Sequence, residues 1–264
     1  MKPALAMRYP VTLTALCAFA AQPALAQGEE DEPEEHEALF VIEEAFTQDE
    51  GEWQIGIGLT QSLTDGQERE WEAEAEYGIT DWLQLEAEFE LEQAQGSAEF
   101  GDFSLGASYA VTEGAGMWRP EITIRANALF PSGDAPGTAR GIGFGIGLGA
   151  SQQLGERFFA HVSAGYSEAP TRESGSERVE ESEWNVGGAL AHGFGDAWFV
   201  TAEYEFSQGS EDTGLGRVWE DSHTAALGIT REFADALVVG LAGALEASDG
   251  SQTAQLRALL QFEF

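Results

Sequence analysis

Cysteine is all but missing from this chain. The one thiol, Cys17, sits in a short apolar run from Val11 to Ala21 near the start. A disulfide framework and a cysteine-based metal site are therefore excluded. A lipoprotein signal needs a small residue before its cysteine, and Leu16 stands there, so lipidation is excluded too. Lysine is nearly absent as well. Lys2 is the single example, and 12 Lys and Arg face 47 Asp and Glu for a net charge of −35. Nucleic acid is ruled out as a partner, because phosphates require cationic contacts. The run 11–21 is too short to cross a bilayer as a helix, and no later stretch is apolar enough. With Lys2 and Arg8 ahead of it and Ala24-Leu25-Ala26 behind it, it reads as a secretory signal peptide, 1–26, cleaved before Gln27.

Catalytic signatures are missing too. No nucleophile elbow, phosphate loop or zinc motif occurs. The four histidines are His36, His161, His192 and His223. His161 and Ser163, at i and i+2, share one face of an expected strand, a spacing that reads as a water-exposed luminal pair. The expectation is therefore no catalytic residue, no metal and no cofactor. The strong acidity has two readings, a selective interior or a generally acidic exported proteome.

What the chain does have is period-two alternation. An acidic leader, 27–51, expected to be partly disordered and to end as a periplasmic tail or lumen insert, carries the short apolar stretch Ala38-Leu39-Phe40-Val41-Ile42. Twelve alternating segments follow, near 52–61, 69–78, 82–92, 102–111, 119–130, 141–152, 157–167, 183–192, 197–208, 223–232, 236–246 and 253–264. Most have the nine to eleven residues that a tilted strand needs to cross a bilayer. Short connections, such as 78–81 and 193–196, alternate with longer polar ones at 62–68, 93–101, 131–140, 168–182 and 209–222. That asymmetry predicts periplasmic turns and external loops. Pro120, Pro131, Pro136 and Pro170 fall at strand ends or in loops. The last segment alternates to the final residue, so Phe262 and Phe264 are expected to serve as the assembly signal of an outer-membrane barrel.

Alternation also sorts the two faces. Trp71, Ala73, Ala75 and Tyr77 oppose Glu70, Glu72, Glu74 and Glu76; Leu83, Leu85, Ala87 and Phe89 oppose Gln84, Glu86, Glu88 and Glu90. Charge facing lipid is costly, so the glutamates face inward. Paired residue numbers must then sum to an even value, with 160 or 158 expected. Either register sets carboxylate opposite carboxylate, which requires water, cations, protonation or arginine as compensation. Arg125 and Arg257 are the inward cations. Gly141, Gly143, Gly145, Gly147 and Gly149 form an inward glycine stripe. It predicts either a groove for solute or the N-terminal segment, or strong curvature and room for a bulky neighbour such as Phe159.

Several stretches are similar to one known family. They are Glu43-Glu44-Ala45-Phe46 with Gly51-Glu52-Trp53, Tyr77-Gly78-Ile79-Thr80-Asp81-Trp82-Leu83, Gly101-Asp102-Phe103-Ser104-Leu105-Gly106, and Leu129-Phe130-Pro131-Ser132-Gly133-Asp134. From about Glu43 onward the chain resembles the outer-membrane transporters named after the MetA pathway of phenol degradation. The resemblance implies a barrel of the twelve-stranded type and transport of small, often aromatic, compounds; the glutamate ladders are not part of the family pattern.

The expected protein is all-β: a transmembrane antiparallel β-barrel of about twelve strands, 52–264, in the bacterial outer membrane. It passes small solutes, aromatic or cationic, passively through a lumen lined by Glu72, Glu74, Glu76, Glu86, Glu88, Glu90, Arg125 and Arg257. Its partners are outer-membrane lipid and lipopolysaccharide, the barrel-assembly machinery and the solute. The alternatives are a structural or adhesive barrel with a blocked lumen, or a lipid-modifying barrel enzyme.

Overall fold

The computed structural model describes residues 39–42, 45–64, 68–94, 97–112, 119–133, 141–155, 157–172, 178–195, 197–212, 217–233, 236–248 and 250–264. All belong to the unit Glu32–Phe264. The expected signal peptide, His36 and Pro136 lie outside the described residues.

Among the described residues there are twelve strands: β1 (Trp53–Ser62), β2 (Arg69–Thr80), β3 (Leu83–Ala94), β4 (Ser97–Thr112), β5 (Glu121–Phe130), β6 (Gly143–Gln153), β7 (Phe158–Arg172), β8 (Arg178–Phe194), β9 (Trp198–Asp212), β10 (Arg217–Glu232), β11 (Leu237–Ser248) and β12 (Ser251–Glu263). Each pairs antiparallel with its chain neighbours, and β1 pairs with β12 to close the barrel. At the seam Trp53 and Phe264 exchange two backbone hydrogen bonds of 2.9 Å. Closure removes the sheet edges, so within the ring backbone donors find acceptors on the next strand.

Burial follows the alternation. On β11, Val239, Leu241 and Leu245 are exposed while Gly240, Ala242 and Ala244 are buried. Exposed Leu105, Ile124, Ile146, Leu148, Val162, Leu190 and Leu227 give the barrel an apolar exterior. Aromatic pairs flank that band. Toward the end carrying the short turns stand Trp53 with Tyr77, Trp82 with Tyr109 and Phe194 with Trp198; toward the opposite, loop end stand Trp184 with Phe206 and Phe144 with Tyr166. An apolar band between two aromatic girdles is the surface that a bilayer requires of a barrel.

Two expectations are corrected. Segments 93–101, 168–182 and 209–222, read as loops, are largely strand, because β4 and β7 to β10 reach 15–17 residues. Above the apolar band both faces of a strand meet water, so the sequence loses its alternation although the backbone pairing continues. Pro170 accordingly lies inside β7, opposite Glu180. The β2–β3 register is also shifted. Glu74 pairs with Glu88 and Glu72 with Glu90, a sum of 162, neither 160 nor 158. An irregularity between Gly78 and Thr80 advances the turn to Asp81-Trp82. The shift is even, so the same side chains stay on the inner face.

Candidate functional site

The lumen carries the polar chemistry. Glu70, Glu72, Glu74 and Glu76 stand directly opposite Glu92, Glu90, Glu88 and Glu86. Like charges so placed repel, and the surrounding wall shows how they are accommodated. Glycines flank the ladder on both sides. Glu72 and Glu74 adjoin Gly58 and Gly56 of β1, while Glu86 and Glu90 lie over Gly106 and Gly101 of β4. A Cβ on Gly106 would come within 2.9 Å of a Glu86 carboxylate oxygen, and one on Gly101 within 2.7 Å of the Glu90 Cβ. The missing side chains let the carboxylates spread sideways, away from each other. Polar donors add to this. Gln84 Nε2 donates to Glu76 (2.7 Å), Ser104 to Glu88 (3.2 Å), and the Ser108 hydroxyl to Glu86.

The segment before β1 lines the inner wall. Glu50 N–H donates to Asp81 and Gln48 N–H to the Gln84 side chain (2.7 Å). The Ala45 carbonyl accepts from Thr123 of β5, and its N–H donates to Ser151 of β6 (3.0 Å). Phe46 packs edge-on against His161 of β7, and Ile42 covers Gly187 of β8. The Glu203 carboxylate of β9 accepts three successive backbone N–H groups, from Phe40, Val41 and Ile42, at 2.8–3.2 Å. The Phe40 ring lies over Gly228 and Gly240 of β10 and β11, and its carbonyl accepts from Arg257 of β12. The segment thus meets the strands in barrel order.

The dimensions allow such a path. Twelve strands at about 4.8 Å spacing, tilted as barrels require, give a backbone cylinder of roughly 12 Å radius. Some twelve extended residues reach at most about 40 Å, one turn at a radius near 6 Å. Small side chains leave much of that space. The buried inner wall there includes Ala189, Ala191, Ala226, Ala242, Thr123, Ser151 and Thr201, beside the larger Gln84, His161 and Glu203 that hold the segment.

Among the described residues, cavities of about 350, 330 and 320 Å³ lie in the bore, the third at its loop-end mouth. The first is lined by Glu74, Glu86, Glu88, Arg125, Asn127, Gly145 and Gly147 among others. The second runs beside β1 and β12 and is lined by Glu70, Glu72, Glu74, Glu76, Glu88, Arg125 and Arg257. Glu90 shares the inner face of β3 opposite Glu72. Glycine-stripe residues Gly143, Gly145 and Gly149 are buried, and Gly141 and Gly147 partly so. Gly145 makes room for Asn127, whose Oδ1 occupies the place of a Cβ. Phe159 packs instead with Phe199 and Ala191. Phe262 and Phe264 are exposed at the closing strand.

His161 is buried, and its Nδ1 lies 2.8 Å from the Ser151 hydroxyl. The expected water-exposed pairing with Ser163 is corrected: the N-terminal segment covers His161, while Ser163 lines the first cavity. Ser151 is also engaged by Ala45, so the pair serves as an anchor for the segment. His192 stacks on Phe158 and His223 meets the Tyr204 hydroxyl at 2.7 Å.

Sequence reasoning placed the ladder but missed the anchoring role of Glu203, Gln84 and Ser151. A usable signal was present: Phe40-Val41-Ile42, an apolar stretch after an acidic leader, together with inner faces of glycine and alanine on β8, β10 and β11. The recognisable stretches also meet in pairs. Asp49 and Gly51 pack on Gly78. Asp102 accepts the N–H groups of Ser132 (3.1 Å) and Gly133 (2.9 Å), and Ser132 Oγ accepts that of Phe103.

No protein-family model matches the sequence, and no curated protein does. Solved structures do resemble it. The COG4313 outer membrane channel from Pseudomonas putida F1 matches over 89% of this chain and 100% of that one, at 13% identity and a TM-score of 0.64. The NanC porin matches over 80% of this chain and 98% of its own, at 9% identity and a TM-score of 0.55. The KdgM porin matches over 80% and 99%, at 14% identity and a TM-score of 0.51. At these identities the likeness is one of fold, and the fold is that of closed outer-membrane β-barrels.

Proposed function

We propose that the protein is an outer-membrane channel for the passive passage of small solutes, oriented with its short turns and N-terminal segment at the periplasmic side. One observation carries the reading: an apolar exterior encloses a bore whose charged lining groups are mostly carboxylates, with Arg125 and Arg257 among them. Burying so many glutamates has no packing purpose, because each costs desolvation unless water or cations remain beside it. A negative lumen favours cations over anions. The resemblance to transporters named after the phenol-degradation pathway, and the fold shared with the Pseudomonas channel, support transport without naming the solute. The role needs no cofactor, and its partners are membrane lipid, lipopolysaccharide and the assembly machinery that would read Phe262 and Phe264.

The test is planar-bilayer conductance with ion-substitution reversal potentials. Cation-selective single-channel currents are expected, and equal permeability to cations and anions would refute the acidic-lumen reading. A second reading draws on a specific observation, the N-terminal segment bound around the inner wall. A barrel so filled would serve structure or adhesion and would show no conductance.

A further inference from the structure

The two larger luminal cavities are lined by largely different parts of the wall. The first belongs to β5–β9 with the ladder, and the second to β12, β1 and β2 with residues 39–42. Four residues line both: Val41, Glu74, Glu88 and Arg125. We propose that these four form the neck between the chambers and set the selectivity of the pore. The proposal rests on the channel reading.

Three features make this a built constriction. Val41 is fixed by its N–H bond of 2.8 Å to Glu203, so one wall is supplied by the N-terminal segment. Glu74 and Glu88 are a direct cross-strand pair on β2 and β3. Arg125 is on β5, two strands beyond β3, paired with Ser108 and Gly147, which leave space around it. A solute moving directly between these chambers passes two carboxylates and one guanidinium, while the cavity at the loop-end mouth adjoins the first at Glu183 and Glu205 and the second at Arg257. Opposite charges around one narrow passage orient a dipolar solute and penalise a simple anion that must also pass the acidic approach. The neck favours small solutes bearing a cationic nitrogen, amines or zwitterions, over monoanions of equal size. Arg125 tempers the ladder: without it the passage becomes a plain cation filter.

Reversal potentials in a KCl gradient near 0.1 M test this on the full-length protein. At that ionic strength screening acts over about 10 Å. So screened, a unit charge about 7 Å from the ion path alters occupancy about 1.6-fold in a water-like dielectric, in opposite senses for K⁺ and Cl⁻. Arg125→Gln should therefore raise the K⁺ to Cl⁻ permeability ratio about threefold, and Arg125→Lys should restore the wild-type ratio. Val41→Gly should raise conductance and admit larger tetraalkylammonium ions. Glu246→Gln, at the loop-end mouth beside Glu183 and Glu205, should change the ratio less than Arg125→Gln. Heat-modifiable gel mobility identifies variants that fold. A silent wild type sinks the channel reading. A conducting wild type with folded Arg125→Gln and Val41→Gly variants of unchanged ratio and cutoff sinks the neck alone, as does an equal or larger effect at Glu246.

Discussion

Gly78 and Asp49 meet backbone to backbone, so closely that a Cβ on Gly78 would overlap the Asp49 carbonyl. Gly51 N–H donates to the Gly78 carbonyl and Gly78 N–H to that of Glu52 (2.8 and 3.0 Å). This contact is where the N-terminal segment leaves the barrel wall and turns inward. Gly78→Ala should displace the root of the segment at a cost of about 1–3 kcal/mol, the range for overpacking. The barrel itself should still form. The expected outcome is unchanged heat-modifiable mobility with larger and noisier single-channel currents. Wild-type currents would show that residues 45–51 do not limit the bore.

Glu203 holds the far end of the same segment. Its two oxygens take three N–H groups, and Arg257 holds the carbonyl of the first residue, Phe40. Hydrogen bonds to a charged acceptor contribute about 1.5–3 kcal/mol each. Glu203→Gln keeps the shape but replaces one acceptor oxygen by a donor, which then faces donors. Release of residues 39–42 is expected, seen as faster cysteine labelling of a Val41→Cys reporter in the Glu203→Gln background. Equal labelling rates in both backgrounds would count against the clamp.

The strand number and the inward glutamates were legible in the sequence because a bilayer forces every spanning strand to alternate. The tops of β7–β10 were not, since strands wet on both faces carry no such signal. The β2–β3 register missed by two residues because the irregularity at Gly78 and Thr80 leaves no mark beyond an ordinary turn motif. The path of residues 39–49 was hidden for another reason. It depends on long-range bonds, such as Ala45 to Ser151 and Phe40 to Glu203, that no local pattern encodes.

The ladder should dominate charge selection. Converting Glu72, Glu74, Glu86 and Glu88 to Gln keeps volume and hydrogen-bonding shape while removing four charges. With salt screening, the K⁺ to Cl⁻ permeability ratio is expected to fall by about tenfold. Reversal potentials under a KCl gradient read the change directly, and a ratio that stays put would mean that the ladder is neutralised in the working pore.

Phe264 extends the seam that closes the ring by one pair. Phe264 exchanges two backbone bonds with Trp53, and removing it leaves both Trp53 groups without that strand partner. Deletion of Phe264 should lower the yield of heat-modifiable barrel in the outer membrane. Phe264→Ala keeps the backbone bonds and should separate seam pairing from recognition of the aromatic ring. A normal yield for the deletion would remove Phe264 from both roles.

Gly106 offers the sharpest test of how the carboxylates coexist. Glu86 stands opposite Glu76 and next in line to Glu88, and it spreads across the empty face of Gly106 while accepting from Ser108. Gly106→Ala places a methyl 2.9 Å from a Glu86 oxygen, so the carboxylate must turn back toward its neighbours. The variant should be less stable than wild type, by about 1–3 kcal/mol if the wall cannot yield. Glu86→Gln should recover most of the loss, since the turned-back group is then neutral. The rescue distinguishes charge from bulk: simple crowding would leave the double variant as unstable as Gly106→Ala alone, because Gln and Glu occupy nearly the same volume. Midpoints of urea unfolding in detergent micelles, compared across the four members of this cycle, decide between the two.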